Sequence, residues 1–154
     1  MAVPNATKKK LFDGSIDLGN DTIRVLLLND STDYTFDPDN HEFVSDIVDG
    51  GTTATEFGDT NYSRKTLANQ STSQDNTDDE AVFDGDGITW TDLGGSETIQ
   101  AVVVYKQVGG DDTTPGDDPV VNVLDDSDVA DLPLATNGGD VSINWDPEGI
   151  LNLA

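Results

Sequence analysis

Hydrophobic residues in this chain occur in short alternating blocks that are separated by glycine and aspartate. The most apolar block is residues 98–106, TIQAVVVYK. Alternation gives it one face with Ile99, Ala101, Val103 and Tyr105, and an opposite face with Gln100, Val102, Val104 and Lys106. β-branched residues dominate the block and glycine pairs bracket it, so we predict a central strand whose two faces are both covered.

Further blocks predict the remaining strands. They lie at residues 22–28, 62–68, 70–76 (an edge strand), 81–83, 88–91, 120–124, 141–145 and 150–153. The tetrapeptide Asp84-Gly85-Asp86-Gly87 predicts a hairpin or bulge between two of them. Residues 109–119 include no apolar side chain, so we expect a solvated loop. Alternation places Trp90 and Trp145 on inward faces.

One helical pattern interrupts the strands. Phe43 and Ile47 are four residues apart, as are Val44 and Val48, and Asp39 or Asn40 could cap the helix that they predict, which should end at residues 49–51. We therefore expect a single domain over residues 1–154. Its predicted class is all-β, a mostly antiparallel, jelly-roll-like β-sandwich with one short helix, in which residues 1–10 form a flexible N-terminal arm.

The charge balance is extreme, with 31 acidic and 7 basic residues and a net charge of −24. Repulsion among so many carboxylates destabilises a compact state, and molar salt screens it by shortening the Debye length to about 3 Å. We therefore expect a folded protein that is adapted to high salt. The rival interpretation is an acidic protein loaded with calcium.

The same composition excludes several classes of function. A surface this acidic disfavours binding to nucleic acid or to anionic lipid, and the chain has no cysteine for disulfides or thiolate chemistry. The longest apolar run is too short to cross a membrane. Since the N-terminus lacks the hydrophobic core of a secretory signal, we expect synthesis and folding in the cytoplasm.

The basic cluster Lys8-Lys9-Lys10 has two interpretations. In the first, it is a solvated strand edge, where lysines discourage pairing with another sheet. In the second, it is an electrostatic foot that docks on an acidic partner surface.

Candidate metal ligands are weak. Asp84 and Asp86 in the DGDG segment, and Asp75 and Asp79 just before it, resemble parts of a calcium loop, but neither segment completes the EF-hand pattern. Structural turns are the simpler interpretation, so we expect no cofactor, with structural Ca²⁺ or another cation as the alternative.

Catalytic and cofactor-binding residues are not predicted. Acidic pairs are too common here to mark a site, and no phosphate loop or dinucleotide fingerprint occurs. His41 has no nucleophile context, so we expect a surface histidine in the first turn of the predicted helix. The protein is therefore expected not to be an enzyme.

The chain resembles a family of small proteins of tailed bacteriophages and proviruses. The resemblance rests on GSIDLGNDTIRVLL at 14–27, VFDGDGITW at 82–90, VVYK at 103–106 and INWDPEGILNL at 143–153. It implies a virion structural protein without catalytic residues. The added aspartates at 109–119 and 125–128 point to a tailed virus of halophilic archaea.

Three functions follow as expectations. The first is an accessory capsid protein, a decoration or turret component that binds the major capsid protein or other virion proteins as a homo-oligomer, after assembly in the host cytoplasm. The second is a tail, baseplate or receptor-binding subunit of the virion. The third is a carbohydrate-binding β-sandwich, which Tyr34, Phe36 and Tyr62 keep open because they lie in or near predicted loops.

Overall fold

The computed structural model describes residues 2–29, 34–48 and 54–154. Helices α1 (Asn5–Phe12) and α2 (Val44–Val48) lie among strands that are all paired antiparallel. The strands are β1 (Ile23–Asn29), β2 (Thr55–Glu56), β3 (Lys65–Thr66), β4 (Ser71–Asp75), β5 (Glu80–Asp84), β6 (Ile88–Trp90), β7 (Thr98–Lys106), β8 (Val120–Leu124), β9 (Leu134–Ala135), β10 (Val141–Ile143) and β11 (Leu151–Leu153).

The central sheet is built on β7, as the sequence predicted. It has the order β2-β1-β7-β8, with β3 also pairing β1 and β9 also pairing β7. Two smaller sheets, β10-β6 and β11-β5-β4, cover one of its faces. The polar strand β4 lies at an edge, as predicted.

Both faces of the central sheet are buried, which confirms that expectation. On the face towards the small sheets, alternate β1 and β7 residues pack against Phe83, Trp90 and Leu151. On the opposite face, Leu26 and Val103, which are paired across β1 and β7, pack against α2 and its surroundings. The result is the predicted all-β, sandwich-like class, with two short helices where the sequence indicated one.

One residue of β7 lies on the other face from the one predicted. The pairing with β1 shifts by one residue between Ala101 and Ile99, so Gln100 is the extra residue of a β-bulge. Because a one-residue shift moves a side chain to the opposite face, Ile99 packs with the small sheets instead of with Ala101 and Val103.

The predicted DGDG hairpin is wrong, because β5 and β6 belong to different sheets. The segment crosses between the two small sheets, and the Asp86 N–H donates to the Ala68 carbonyl (2.9 Å). A Cβ at Gly85 would lie 2.8 Å from Leu67, so glycine is needed for close packing there.

Residues 5–12 form a helix, where the sequence predicted an arm or a strand edge. The Lys8 N–H donates to the Pro4 carbonyl (3.1 Å), and lysines in the last turn are favourable at the negative end of the helix dipole. Thr7 is fully buried and its hydroxyl donates to the Val120 carbonyl, which fixes α1 to β8.

Helix α2 is shorter than predicted and begins differently. The carboxylate of Asp46 accepts the N–H groups of Glu42 (3.1 Å) and Phe43 (2.8 Å), so neither Asp39 nor Asn40 caps it. The predicted end at 49–51 lies outside the described residues.

Candidate partner-binding surface

Helix α1 and strand β11 border a groove of about 400 Å³. We call its lining the α1–β11 surface: Val3, Lys8, Leu11, Phe12, Leu151, Asn152 and Leu153. The Phe12 side chain is 92% exposed and Leu153 is 48% exposed. Large apolar side chains that are exposed together mark interaction sites in soluble proteins.

The exposure of Phe12 follows from how α1 is held. Phe12 is the last residue of the helix, and Lys8, four residues earlier, lies on the same face. The helix is held in place by the buried Thr7 and by Lys10, whose Nζ lies 2.7 Å from a Glu42 carboxylate oxygen and 4.2 Å from the ring centre of Phe43. Phe12 is therefore presented by an anchored helix.

The three lysines predicted to contact a partner are not equivalent. Lys10 is mostly buried in its ion pair and is not presented to a partner. Lys9 is exposed, and its Nζ lies 2.7 Å from Asp13. Hydrogen bonds from Lys9 and Ser15 lower the pKa of Asp13 to about 2. Lys8 lines the groove and donates to the Asn5 side chain (3.1 Å), so Lys8 supplies positive charge to this surface, while the charge of Lys9 is balanced by Asp13.

A second concave surface is a cleft of about 620 Å³ between the central sheet and the segment around β10. We call it the β10 cleft. Its floor is apolar, with Ile99, Val102, Leu124, Leu132, Leu134 and Ile150. Its polar lining includes Asp128, Asp131 and Asp146, with the half-buried indole of Trp145 beside them. The Trp145 Nε1–H donates to the Asp86 carbonyl (2.9 Å), which fixes the ring.

Four large hydrophobic side chains are exposed in the described part of the chain: Phe12, Val108, Leu134 and Leu153. Phe12 and Leu153 belong to the α1–β11 surface, and Leu134 belongs to the β10 cleft. Exposed apolar area is therefore concentrated at these two places.

The acidic loop 109–119 is partly structural, which corrects the expectation that it is solvated. The Asp112 carboxylate lies 2.9 Å from Arg24 and accepts a hydrogen bond from the Tyr105 hydroxyl (2.7 Å). Burial raises the pKa of Tyr105, and the hydrogen bond to Asp112 adds to that shift.

Arg64 makes two hydrogen bonds to Glu56, at 2.7 and 2.9 Å. Both arginines of the chain thus hold loops and short strands to the central sheet.

Asp118 of the same loop is fully buried. Its Oδ1 accepts the Val108 N–H (2.7 Å), while Oδ2 has no partner among the described residues. Burial raises the pKa of its carboxyl. This side chain closes the base of the loop.

His41 is 7% exposed, so the predicted surface histidine is wrong. It precedes α2, stacks on the ring of Tyr34 and makes an edge contact with the ring of Phe36. Its Nδ1 accepts the Asp37 N–H (3.0 Å), and burial lowers its pKa. The residue closes a turn, and its bonded ring nitrogen is not placed as a general base.

The aromatic residues that kept a carbohydrate site open are packed inside. Tyr34 is buried against His41, and Tyr62 stacks on Trp90 with ring centres 6.4 Å apart. The Tyr62 hydroxyl donates to Glu56 (2.9 Å). Phe36 is partly buried on the α2 side of the sheet. None of the three rings forms an exposed stacking platform.

The calcium candidates act in turns. Asp75 accepts the N–H groups of Thr77 and Asp78, and Asp84 accepts that of Gly85. The Asp86 carboxylate accepts the Asn69 amide (2.7 Å), and Asp79 has the left-handed φ of 58° typical of a turn. Within residues 2–29, 34–48 and 54–154, no three His, Asp or Glu side chains converge as a metal site requires.

No family model, curated protein or solved structure matches this chain. In the described ranges, neither helix has the length and apolar character needed to cross a membrane.

Two of the residues in the segments that resemble the phage proteins have structural roles. Gly149, with φ of 93°, packs against Phe83, and Asp21 lies 2.8 Å from the Nζ of Lys106.

Sequence reasoning missed Phe12 and the β10 cleft. The pair Leu11-Phe12 directly follows the lysines. A helix predicted over residues 5–12 would have placed Lys8 beside Phe12, because the two are four residues apart. No comparable signal marks the cleft, because its lining comes from separate segments between residues 27 and 150.

Proposed function

We propose that this protein is a non-enzymatic structural subunit of a virion, an accessory component that docks on the viral shell through its α1–β11 surface. The observation that carries the proposal is the exposed ring of Phe12, presented by an anchored helix beside Lys8 in a chain of net charge −24. The resemblance to small tailed-phage proteins supports the same class of function.

The surface combines the two forces that a contact in salty solution needs. Molar salt screens charge over about 3 Å, so long-range attraction contributes little there, while burial of apolar area remains effective. Phe12 and Leu153 supply that area, and full burial of one such side chain contributes about 1.5–3 kcal/mol. Lys8 then favours an acidic partner at close range.

Side-chain roles in the described part of the chain favour binding over catalysis. His41 is engaged in a turn, and the carboxylates of Asp112 and Asp118 hold the acidic loop to the sheet. Most of the exposed large hydrophobic side chains of the described residues lie on the α1–β11 surface or in the β10 cleft, and such apolar surfaces suit contact with another protein.

The test is sedimentation of purified protein with empty shells at molar KCl. We expect wild-type protein to sediment with the shells and Phe12→Asp to remain in solution. Val108→Asp is the control, because Val108 is another exposed large apolar residue and lines neither surface. Wild-type protein that stays in solution, or Phe12→Asp that binds equally, would overturn the shell assignment.

Immunogold labelling of intact particles locates the protein directly. Label over the head supports the proposal. Label confined to tails would overturn the shell assignment in favour of the tail or baseplate alternative, and unlabelled particles would overturn a virion role altogether.

A further inference from the structure

We infer that the β10 cleft of one copy receives the end of α1, with Phe12, Lys8 and Lys9, from a second copy of this chain. This inference rests on the proposed function, because it names a partner for the same α1–β11 surface.

Apolar complementarity is the first support. Phe12 projects almost fully exposed from α1, and the cleft offers an apolar floor that includes the exposed Leu134. Its volume of about 620 Å³ is in the range of sites that enclose whole ligands, so it can take an aromatic side chain with its neighbours. Joining the two surfaces would cover three of the four large hydrophobic side chains that are exposed in the described ranges.

Charge complementarity is the second support. Positive charge is scarce, and in the described ranges five of the seven basic side chains form ion pairs, Lys9 with Asp13 among them. Lys8 lines the groove beside Phe12, while Asp131 and Asp146 are among the residues that line the cleft. An α1 end seated in the cleft brings these charges together at contact distance, where salt screens them least.

The two surfaces have different lining residues, so the contact is head-to-tail. Such a contact leaves one free cleft and one free α1 end on every pair. It therefore extends until a ring closes, or it continues as an open chain. Docking on the shell needs an exposed Phe12, so it fits an open oligomer, whose terminal copy keeps its α1 end free.

Sedimentation velocity at molar KCl, without shells, tests the contact by complementation. Phe12→Asp removes the apolar end of α1 and leaves the cleft intact. Leu134→Asp places a charge in the cleft and leaves α1 intact. We expect wild-type protein to form oligomers, each variant alone to associate more than about tenfold more weakly, and an equimolar mixture to form dimers. Val108→Asp should associate like wild type.

A second pair of variants tests the same contact by reversing charges and leaves the apolar residues of the cleft unchanged. Asp131→Lys reverses an exposed charge of the cleft, and Lys8→Glu reverses its proposed partner. Each should weaken association alone, and the double variant should recover it. Circular dichroism confirms that each variant is folded before it is compared.

Three results would overturn the inference. They are a monomeric wild-type protein, a Leu134→Asp variant that associates like wild type while Phe12→Asp does not, and a mixture that stays monomeric. The first would leave the cleft to another ligand, and the second would indicate that α1–β11 surfaces pair with each other. These outcomes are separate from shell binding, so oligomers that fail to bind shells would overturn only the proposed function.

Discussion

The phenol of Tyr105 donates a 2.7 Å hydrogen bond to Oδ1 of Asp112, which ties the acidic loop to the central strand. The same oxygen accepts a hydrogen bond from the Gln107 side-chain amide (2.8 Å), and Oδ2 lies 2.9 Å from Arg24. Arg64 stands over the Tyr105 ring, with 5.4 Å between its guanidinium carbon and the ring centre. One carboxylate thus joins the end of β7 to the start of β1.

Replacing Asp112 by Asn should lower the free energy of unfolding by about 1–3 kcal/mol, because the partly buried Arg24 loses its charged partner. Urea denaturation at molar KCl measures the change. Asp126→Asn is the control, since Asp126 is an exposed residue of another acidic turn, and it should leave the midpoint unchanged. Equal midpoints for the two variants would show that the Asp112 contacts contribute nothing to stability.

The main strands were predictable because the period-two pattern is strong where a strand is buried on one or both faces. Residues 98–106, 120–124 and 22–28 were placed in this way, with β1 beginning and ending one residue later than predicted. The bulge at Gln100 was not predictable, since it depends on pairing with β1, which alternation within a single strand does not specify.

The roles of individual aspartates were hidden by their abundance. Asp112 and Asp118 belong to a loop that has no apolar side chain, so the sequence alone predicts that the loop is solvated. The same reasoning predicts that shortening residues 110–118 would leave the fold intact. The structure predicts the opposite, because that deletion removes the partner of Arg24 and Tyr105 together with the carboxylate that accepts the Val108 N–H. Only the fold shows which of many carboxylates are buried.

Gly149 should tolerate substitution far less than other glycines that also have a positive φ. Its φ is 93°, and a Cβ there would lie 2.5 Å from Val82 and 2.7 Å from the Phe83 carbonyl oxygen. Gly138 has a φ of 85° with nothing within 4 Å of a Cβ. Gly138→Ala should therefore cost about 1–2 kcal/mol for backbone strain, and Gly149→Ala about 1–3 kcal/mol more for overpacking. Thermal denaturation of both variants at molar KCl makes the comparison, and equal losses would refute the packing argument.

His41 should make stability depend on pH. Burial lowers its pKa below the ordinary 6.5, and the nearby Asp37 and Asp46 only partly offset this. The unfolded chain therefore binds the proton more readily than the folded one. The contribution of neutral His41 is fully present above pH 6.5 and is lost as the pH falls from 6.5 towards the folded pKa.

Urea denaturation between about pH 7.5 and about pH 5 should show this loss in wild-type protein. The difference between wild type and His41→Gln isolates it from other groups, since Asp118 has a raised pKa and shifts stability in the opposite direction. Parallel pH profiles for the two proteins would contradict a buried neutral histidine.

Val103 provides a test of the core. The side chain is fully buried between Leu26 and Val123, its neighbours across the sheet. Val103→Asp would bury a carboxylate without a partner, and the protein should fail to fold. Val108→Asp adds the same charge at an exposed position and should remain folded, as circular dichroism would show. A soluble, native-like Val103→Asp protein would mean that the central sheet is misplaced.

Salt should control stability more strongly than any single contact. The net charge of −24 is opposed by few ion pairs, so carboxylate repulsion favours the unfolded chain at low ionic strength. Raising KCl from about 0.1 M to about 1 M shortens the Debye length from about 10 Å to about 3 Å and should raise the melting temperature. Sucrose of equal osmolality is the control, because it stabilises proteins by exclusion from their surface without screening charge. If KCl and sucrose raised the melting temperature equally, charge screening would not be the cause, and the inferred adaptation to high salt would lose its physical basis.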